Sequence, residues 1–352
     1  MQEYFNNACM IGGGSSEAVE SVATNAAIIY PILFKDRIEL LVSLPSGLKR
    51  YRSDVGLKEL TREVRLFRRG IERFDGRENY LDQGYRLYTW LIEPVVTDLE
   101  AEGVDTLVMV PDGPLRTIPM SALYDGERFL IERFAFATTP GLTLTSPQPL
   151  QRDNVETLAV GLTKAVQGFS ALPNVGAELD NIASHFPATT YRDEEFRGKQ
   201  VEDEIAQGDY SIVHVATHGK FDSDHTRSFL LTYDEKLTMA ELRDTIGARR
   251  YQKDPVELLV LSACETAAGD DRAALGLAGV ALQAGARTAV ATLWFINDES
   301  TADMVSEFYR QLEDPDISKA EALRAAQLSL LEQPRYRHPS YWAPFLLIGN
   351  WL

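Results

Sequence analysis

The residues of this chain best suited to chemistry are a histidine and a cysteine. His218-Gly219 follows the apolar run Ser211–Thr217 in SIVHVATHGKF, and Cys264 follows Glu257–Ser262 in ELLVLSACETAAGDD. Both runs read as buried strands, and reactive groups of open α/β sheets gather where such strands end. Two strand ends of one sheet, 46 residues apart in sequence, can bring these side chains face to face. An imidazole beside a thiol assists its deprotonation, and the thiolate attacks a carbonyl carbon. The imidazolium then protonates the leaving amine. The backbone N–H groups of Gly219 and Cys264 are candidate oxyanion donors, and a glycine lets substrate approach closely. A plainer reading stands beside this one, since a lone cysteine is more often a small buried hydrophobe. The acidic loop after Cys264 and the glycine after His218 weigh toward an exposed, reactive site.

The elements that must position these residues alternate strand and helix. After residue 150, strands are predicted at Thr157–Leu162, Ser211–Thr217, Glu257–Ser262, Arg287–Leu293 and Phe345–Ile348. Helices are predicted at 175–186, 194–207, 272–285, 298–313 and 318–332. Near-continuous apolar strands alternating with helices indicate a mainly parallel sheet covered on both faces. Before residue 150, Ile28–Phe34 and Ile38–Leu44 flank Lys35-Asp36-Arg37 as a β-hairpin. Residues 56–74 and 78–102 carry helical spacing, followed by strands at Asp105–Val110 and Phe134–Thr138. Pro140–Asn154 is the best internal boundary, separating residues 28–150 from 151–352. Residues 1–27 have the look of a cut end, so the natural chain is expected to extend upstream.

Composition narrows the function classes. The 352 residues carry 35 basic and 52 acidic side chains, a net −17. Residues 1–150 hold −5 (16 basic, 21 acidic) and residues 151–352 hold −12 (19 basic, 31 acidic). That balance argues against binding a phosphate backbone and favours a basic substrate group in the second part. No apolar run approaches the roughly 18–20 residues of a membrane span, and the first residues lack a basic segment followed by an apolar one, so no secretory signal is expected. Cys9 and Cys264 make neither a disulfide framework nor a cysteine zinc site, which points to a reducing, cytoplasmic setting. No phosphate-binding loop, dinucleotide fingerprint or G-x-S-x-G elbow occurs, so no cofactor and no serine nucleophile are expected.

His214 and His218 stand at i, i+4, but Val-Ala-Thr separates them and the stretch reads as a strand, which disfavours a metal pair completed by His225. Asp222, Asp224, Asp270 and Asp271 either shape a substrate groove or keep their loops soluble. Trp294 and Trp342 read as core or groove wall.

Several motifs, taken in order, resemble the CHAT family of cysteine peptidases, relatives of caspases and separases. Pro111–Pro119 (PDGPLRTIP), Leu172-Pro173 with Glu178, His214–Gly219 (HVATHG) and Leu261–Thr266 (LSACET) carry the resemblance. It continues through Gly276-Leu277, Ala284–Ala286, Leu293-Trp294, Asp298, Phe308-Tyr309, Ala322-Leu323, Ala326-Gln327, His338-Pro339 and Tyr341–Phe345. The resemblance implies a caspase-like α/β/α sandwich with Cys264 as nucleophile and His218 as general acid/base, His214 lying outside the dyad. It implies that residues 28–150 form a degenerate caspase-like subdomain and 151–352 the active CHAT peptidase domain, cutting a protein substrate. By the same resemblance to separases, Asp298 would bind a basic P1 side chain; its other reading is a helix N-cap shared with Asn297. The family further implies bacterial regulated proteolysis, cell death or defence, with a tetratricopeptide-repeat or other sensor region missing from this chain. The alternative function is an inactive or latent CHAT scaffold acting as a signalling module.

Overall fold

The computed structural model describes residues 25–73, 79–139, 148–152, 154–221, 228–249, 255–262, 265–266, 285–294 and 296–352. The described residues open with β1 (Ala26–Leu33) and β2 (Ile38–Leu44), the predicted hairpin, closed where Phe34 N–H donates to Arg37 C=O. A third antiparallel strand, β3 (Gly47–Ser53), follows immediately. Its sequence GLKRYRS has too few apolar residues to announce a strand, and it forms the exposed edge of the sheet. Then come α1 (Leu57–Glu72), α2 (Asn79–Leu91) and α3 (Glu93–Ala101). The single helical stretch expected over 78–102 breaks at Ile92 because Pro94 lacks an N–H and restarts the helix as a first-turn residue. β4 (Thr106–Met109) and β5 (Ala135–Thr138) complete the first part.

The second part runs β6 (Thr157–Gly161), α4 (Val175–His185), β7 (Ala188–Arg192), α5 (Gly198–Gln207) and β8 (Ile212–Ala216). Three short strands follow, β9 (Gly219–Phe221), β10 (Phe229–Leu231) and β11 (Lys236–Thr238), with α6 (Met239–Arg249) after them. β12 (Leu258–Ser262), β13 (Glu265–Thr266), β14 (Thr288–Thr292), α7 (Asp298–Leu312), α8 (Lys319–Leu331) and β15 (Phe345–Gly349) end the chain. The helix expected at 272–285 lies outside the described residues apart from its last position.

Strands of both parts join one eleven-stranded sheet in the order β3-β2-β1-β4-β5-β15-β14-β12-β8-β6-β7. It is parallel from β1 through β4 and β5 to β15, and again from β14 to β7. β15 joins the two blocks, antiparallel to β14 and parallel to β5. The period of two along each strand divides the core. Ile212, Ala216, Leu258 and Val260 pack in the cluster that holds α4, α7 and α8 residues. Val213, Val215, Leu259 and Leu261 pack in the cluster that holds α5 and α6 residues. This double cover explains why β6, β8 and β14 are buried at every residue. A side chain on Gly161 would meet Ala216 C=O and Val175 at 2.6 Å, so a glycine is required where β6, β8 and α4 converge.

Candidate active site

β8 and β12 are parallel partners in the middle of the second block, and their carboxyl ends carry both predicted dyad positions. Ser262 is the register partner of Ala216 in the main sheet. In the small four-stranded sheet above it, Glu265 pairs with Lys220 and Thr266 with Phe221. Thus the described residues on either side of Ala263-Cys264 are ladder partners of those on either side of Thr217-His218-Gly219. Cys264, predicted nucleophile and oxyanion donor, lies outside the described residues, as do Cys9, His225, Asp222, Asp224, Asp270 and Asp271. Gly219 opens β9 and is the register partner of Leu230.

His218 is half-buried, and its orientation is set by the loop between β6 and α4. Its Nε2 lies 2.8 Å from the Ser170 carbonyl oxygen. A carbonyl only accepts, so Nε2 carries the hydrogen and the neutral ring has its lone pair on Nδ1. The Phe169 ring packs tilted against the imidazole, centroids 5.2 Å apart. Backbone bonds on both sides fix the turn: Thr217 Oγ1 donates to Leu231 C=O at 2.6 Å, and Leu231 N–H donates to His218 C=O at 2.8 Å.

That loop is itself clamped. The Asp193 carboxylate accepts hydrogen bonds from Thr163 N–H, Thr163 Oγ1 and Lys164 N–H. Burial pushes its pKa up, but these bonds prevail and hold it below the usual carboxylate range. Gln167 Nε2 donates to Thr232 C=O at 3.0 Å. Asp193 and Gln167 are the non-glycine residues with positive φ among the described residues, at 48° and 51°. Gln167 therefore holds a disfavoured backbone conformation within the loop that presents the Ser170 carbonyl, and Asp193 holds one just after β7, where its side chain clamps the start of that loop. Sequence reasoning missed this loop's role, because Ser170 acts through its backbone and no side-chain type advertises a carbonyl.

Asp298 sits at the start of α7 and reaches the far end of the same loop. Its Oδ2 accepts from Asn174 N–H at 3.0 Å and Asn174 Nδ2 at 2.8 Å. Its other oxygen accepts no hydrogen bond among the described residues. The helix cap is Asn297, whose Oδ1 accepts from Glu299 N–H and Ser300 N–H.

Beneath the site, three fragments of the sequence motifs meet in one buried chain. His214 on β8 places Nε2 2.9 Å from Glu178 Oε1 on α4, and Nδ1 3.2 Å from the Tyr309 hydroxyl on α7. All three residues are at most 2% exposed. Burial, with the Glu178 carboxylate close by, holds the Tyr309 phenol well above its ordinary pKa. The directions are then consistent: the phenol donates to Nδ1, and Nε2–H donates to the carboxylate. Both nitrogens of His214 are occupied, so it forms no common site with His218. Among the described residues, no group of three His, Cys, Asp or Glu side chains could hold a metal ion.

Other motif residues are structural. In PDGPLRTIP, Asp112 accepts from Gly113 N–H, while Arg116 Nε donates to Pro111 C=O and the guanidinium pairs with Asp112. Gln327 Nε2 donates to the carbonyls of Trp342 and Phe345. Trp294 and Trp342 are both buried. No helix among the described residues is long and apolar enough to cross a membrane.

This architecture, with a large mainly parallel sheet between helical layers, is that of the caspase-like cysteine peptidases. The chain is similar in fold to separase from the Saccharomyces cerevisiae separase–securin complex. The TM-score is 0.58 at 10% identity, covering 95% of this chain and 30% of separase. It is also similar to the Arg-specific cysteine proteinase gingipain R (RgpB) of Porphyromonas gingivalis, with a TM-score of 0.50 at 11% identity over 84% of this chain and 74% of that one. The chain therefore spans about a third of the separase chain it matches. No curated protein sequence matches it. The CHAT domain model matches residues 81–350, and the chain belongs to that family.

Proposed function

We propose that the protein is a cysteine endopeptidase with Cys264 as nucleophile and His218 as general acid/base. The observation that carries this reading is the ladder pairing that brackets both positions at the carboxyl end of the sheet. In the mechanism, His218 Nδ1 takes the thiol proton while Nε2–H stays on the Ser170 carbonyl. The thiolate adds to the scissile carbonyl carbon, and the N–H groups of Gly219 and Cys264 donate to the oxygen that becomes negative. The imidazolium, stabilised by the Ser170 carbonyl, returns its proton to the leaving amine as the C–N bond breaks. Water then attacks the thioester, giving up a proton to Nδ1, and the carboxyl product departs with the thiol restored.

In this reading residues 151–352 are the peptidase and residues 28–150 a degenerate half that supports it. The uncommitted oxygen of Asp298 and the −12 charge of residues 151–352 support a preference for Arg or Lys at P1. The substrate is a protein, and no cofactor takes part. The setting is bacterial and cytoplasmic, in regulated proteolysis, cell death or defence, with a sensor region or partner controlling access. A proteome-wide cleavage comparison of the parent with Cys264→Ala and His218→Ala tests the dyad. Loss of cleavage in both variants is expected. Identical cleavage patterns in parent and variants would refute the enzyme and leave the inactive scaffold.

A further inference from the structure

The strongest unassigned feature is a line of positive charge on α1, in a chain that is otherwise acidic. Lys58, Arg62, Arg65, Arg69 and the capping Arg73 are all exposed. At about 100° per residue, the first four fall within an arc of about 60°, and the full set spans ~22 Å along the axis. The buried residues Leu60, Val64, Phe67 and Ile71 fix the opposite face of the helix in the core. Residues 57–73 hold six basic and three acidic side chains, +3 against −20 for the rest of the chain.

The acidic residues of α1 pair with Arg62 alone among the members of the line. Glu63 is buried and bonded by Arg62 and Arg86, and Glu72 is paired with Arg68. Glu59 approaches Arg62 alone, at 3.7 Å. Among the described residues, no carboxylate comes within ion-pair distance of Lys58, Arg65, Arg69 or Arg73. Exposed apolar side chains, Leu57 at 38% and Leu66 at 40%, flank the line.

We propose that this face of α1 docks an acidic peptide segment of a partner protein, one that alternates carboxylates with leucine-like side chains. Charge complementarity selects the acidic residues, and Leu57 and Leu66 select the apolar ones. A short segment meets only the local +3. A long polyanion such as nucleic acid would also meet the −20 carried elsewhere, and the exposed face of α1 offers no aromatic ring for base stacking. The surface lies in the first part of the chain and does not depend on the proposed dyad.

The test is fluorescence anisotropy on the full chain with a labelled peptide of about 15 residues, built from Glu and Leu to match the helix length. A Gln/Leu peptide is the control. Binding of the Glu/Leu peptide alone is expected, weakening several-fold as salt is raised and the Debye length shrinks. The triple Lys58→Glu, Arg65→Glu, Arg69→Glu should lose at least tenfold in affinity, and the neutral triple to Gln somewhat less. Leu57→Ser with Leu66→Ser should cost several-fold. Unfolding midpoints of the variants establish that α1 remains folded. The proposal is overturned if the parent does not bind, or if a folded charge-reversed triple binds as well as the parent. It also fails if the Leu variants bind unchanged, or if an oligonucleotide binds more tightly through the same cations. Salt-sensitive self-association abolished by the triple would overturn it too, by making a second copy the occupant.

Discussion

Tyr309→Phe isolates the buried chain under the candidate active site. The substitution removes one oxygen from a residue with no exposed surface and leaves the ring in place against Phe186, Phe308 and His214. It takes away the donor 3.2 Å from His214 Nδ1, which water cannot reach because His214 is also fully buried. An orphaned buried acceptor costs about 1–3 kcal/mol. The hydroxyl of a wholly buried tyrosine should therefore be worth about that much here, not the fraction of a kcal/mol expected of a surface group. Urea unfolding followed by tryptophan fluorescence measures it. The control is the same change in a His214→Phe background, where the hydroxyl has no imidazole to serve. There Tyr309→Phe should be neutral or stabilising, because it removes a buried hydroxyl that has lost its partner, with a coupling of about 0.5–3 kcal/mol between the two sites. Equal costs in both backgrounds would refute the network, as would a single-variant loss below about 0.3 kcal/mol.

Two further tests address charge. Lys319, at the start of α8, is fully buried and its Nζ has no hydrogen-bond partner among the described residues; burial pushes its pKa from 10.5 down to about 7 despite Glu257 nearby. Because the folded-state pKa is depressed, the unfolded chain binds the extra proton between pH 7 and 10.5, and stability rises with pH across that window. The span corresponds to roughly 3–5 kcal/mol. Lys319→Met should therefore stabilise the protein near pH 7, with an advantage that shrinks toward pH 10; a pH-independent difference in urea unfolding would contradict this. At the site, Asp298→Asn keeps an oxygen for Asn174 while removing the charge. A peptide-library profile should show cleavage after Arg or Lys falling at least about tenfold, the scale of a charge-assisted contact; an unchanged profile, or an acidic or aliphatic P1 in the parent, removes Asp298 from that role.

How much was legible depended on whether the signal was local. The β1–β2 hairpin, the strands at 157–161, 212–216, 258–262 and 288–292, and the helices at 175–185, 298–312 and 319–331 all show in the apolar period, because each buries a face defined by its own residues. β3, β7 and the short strands β9–β11 and β13 do not show. They are polar or only two or three residues long, and each exists because a pairing strand completes its hydrogen bonds, the neighbouring β2 for β3 and the distant β6 for β7, with β9 and β13 pairing across 45 residues.

The sequence by itself determined which residue types stand at the ends of apolar strands, and that was enough to nominate Cys264 and His218 and to exclude nucleotide-binding loops. Only the tertiary structure decided that Glu178, His214 and Tyr309, from three separate motifs, form one buried chain. It alone joined both parts in a single sheet through β15 and set the Ser170 carbonyl on His218 Nε2. A strand end is written locally in hydropathy, whereas a hydrogen bond between residues 48 positions apart depends on how loops fold over the sheet.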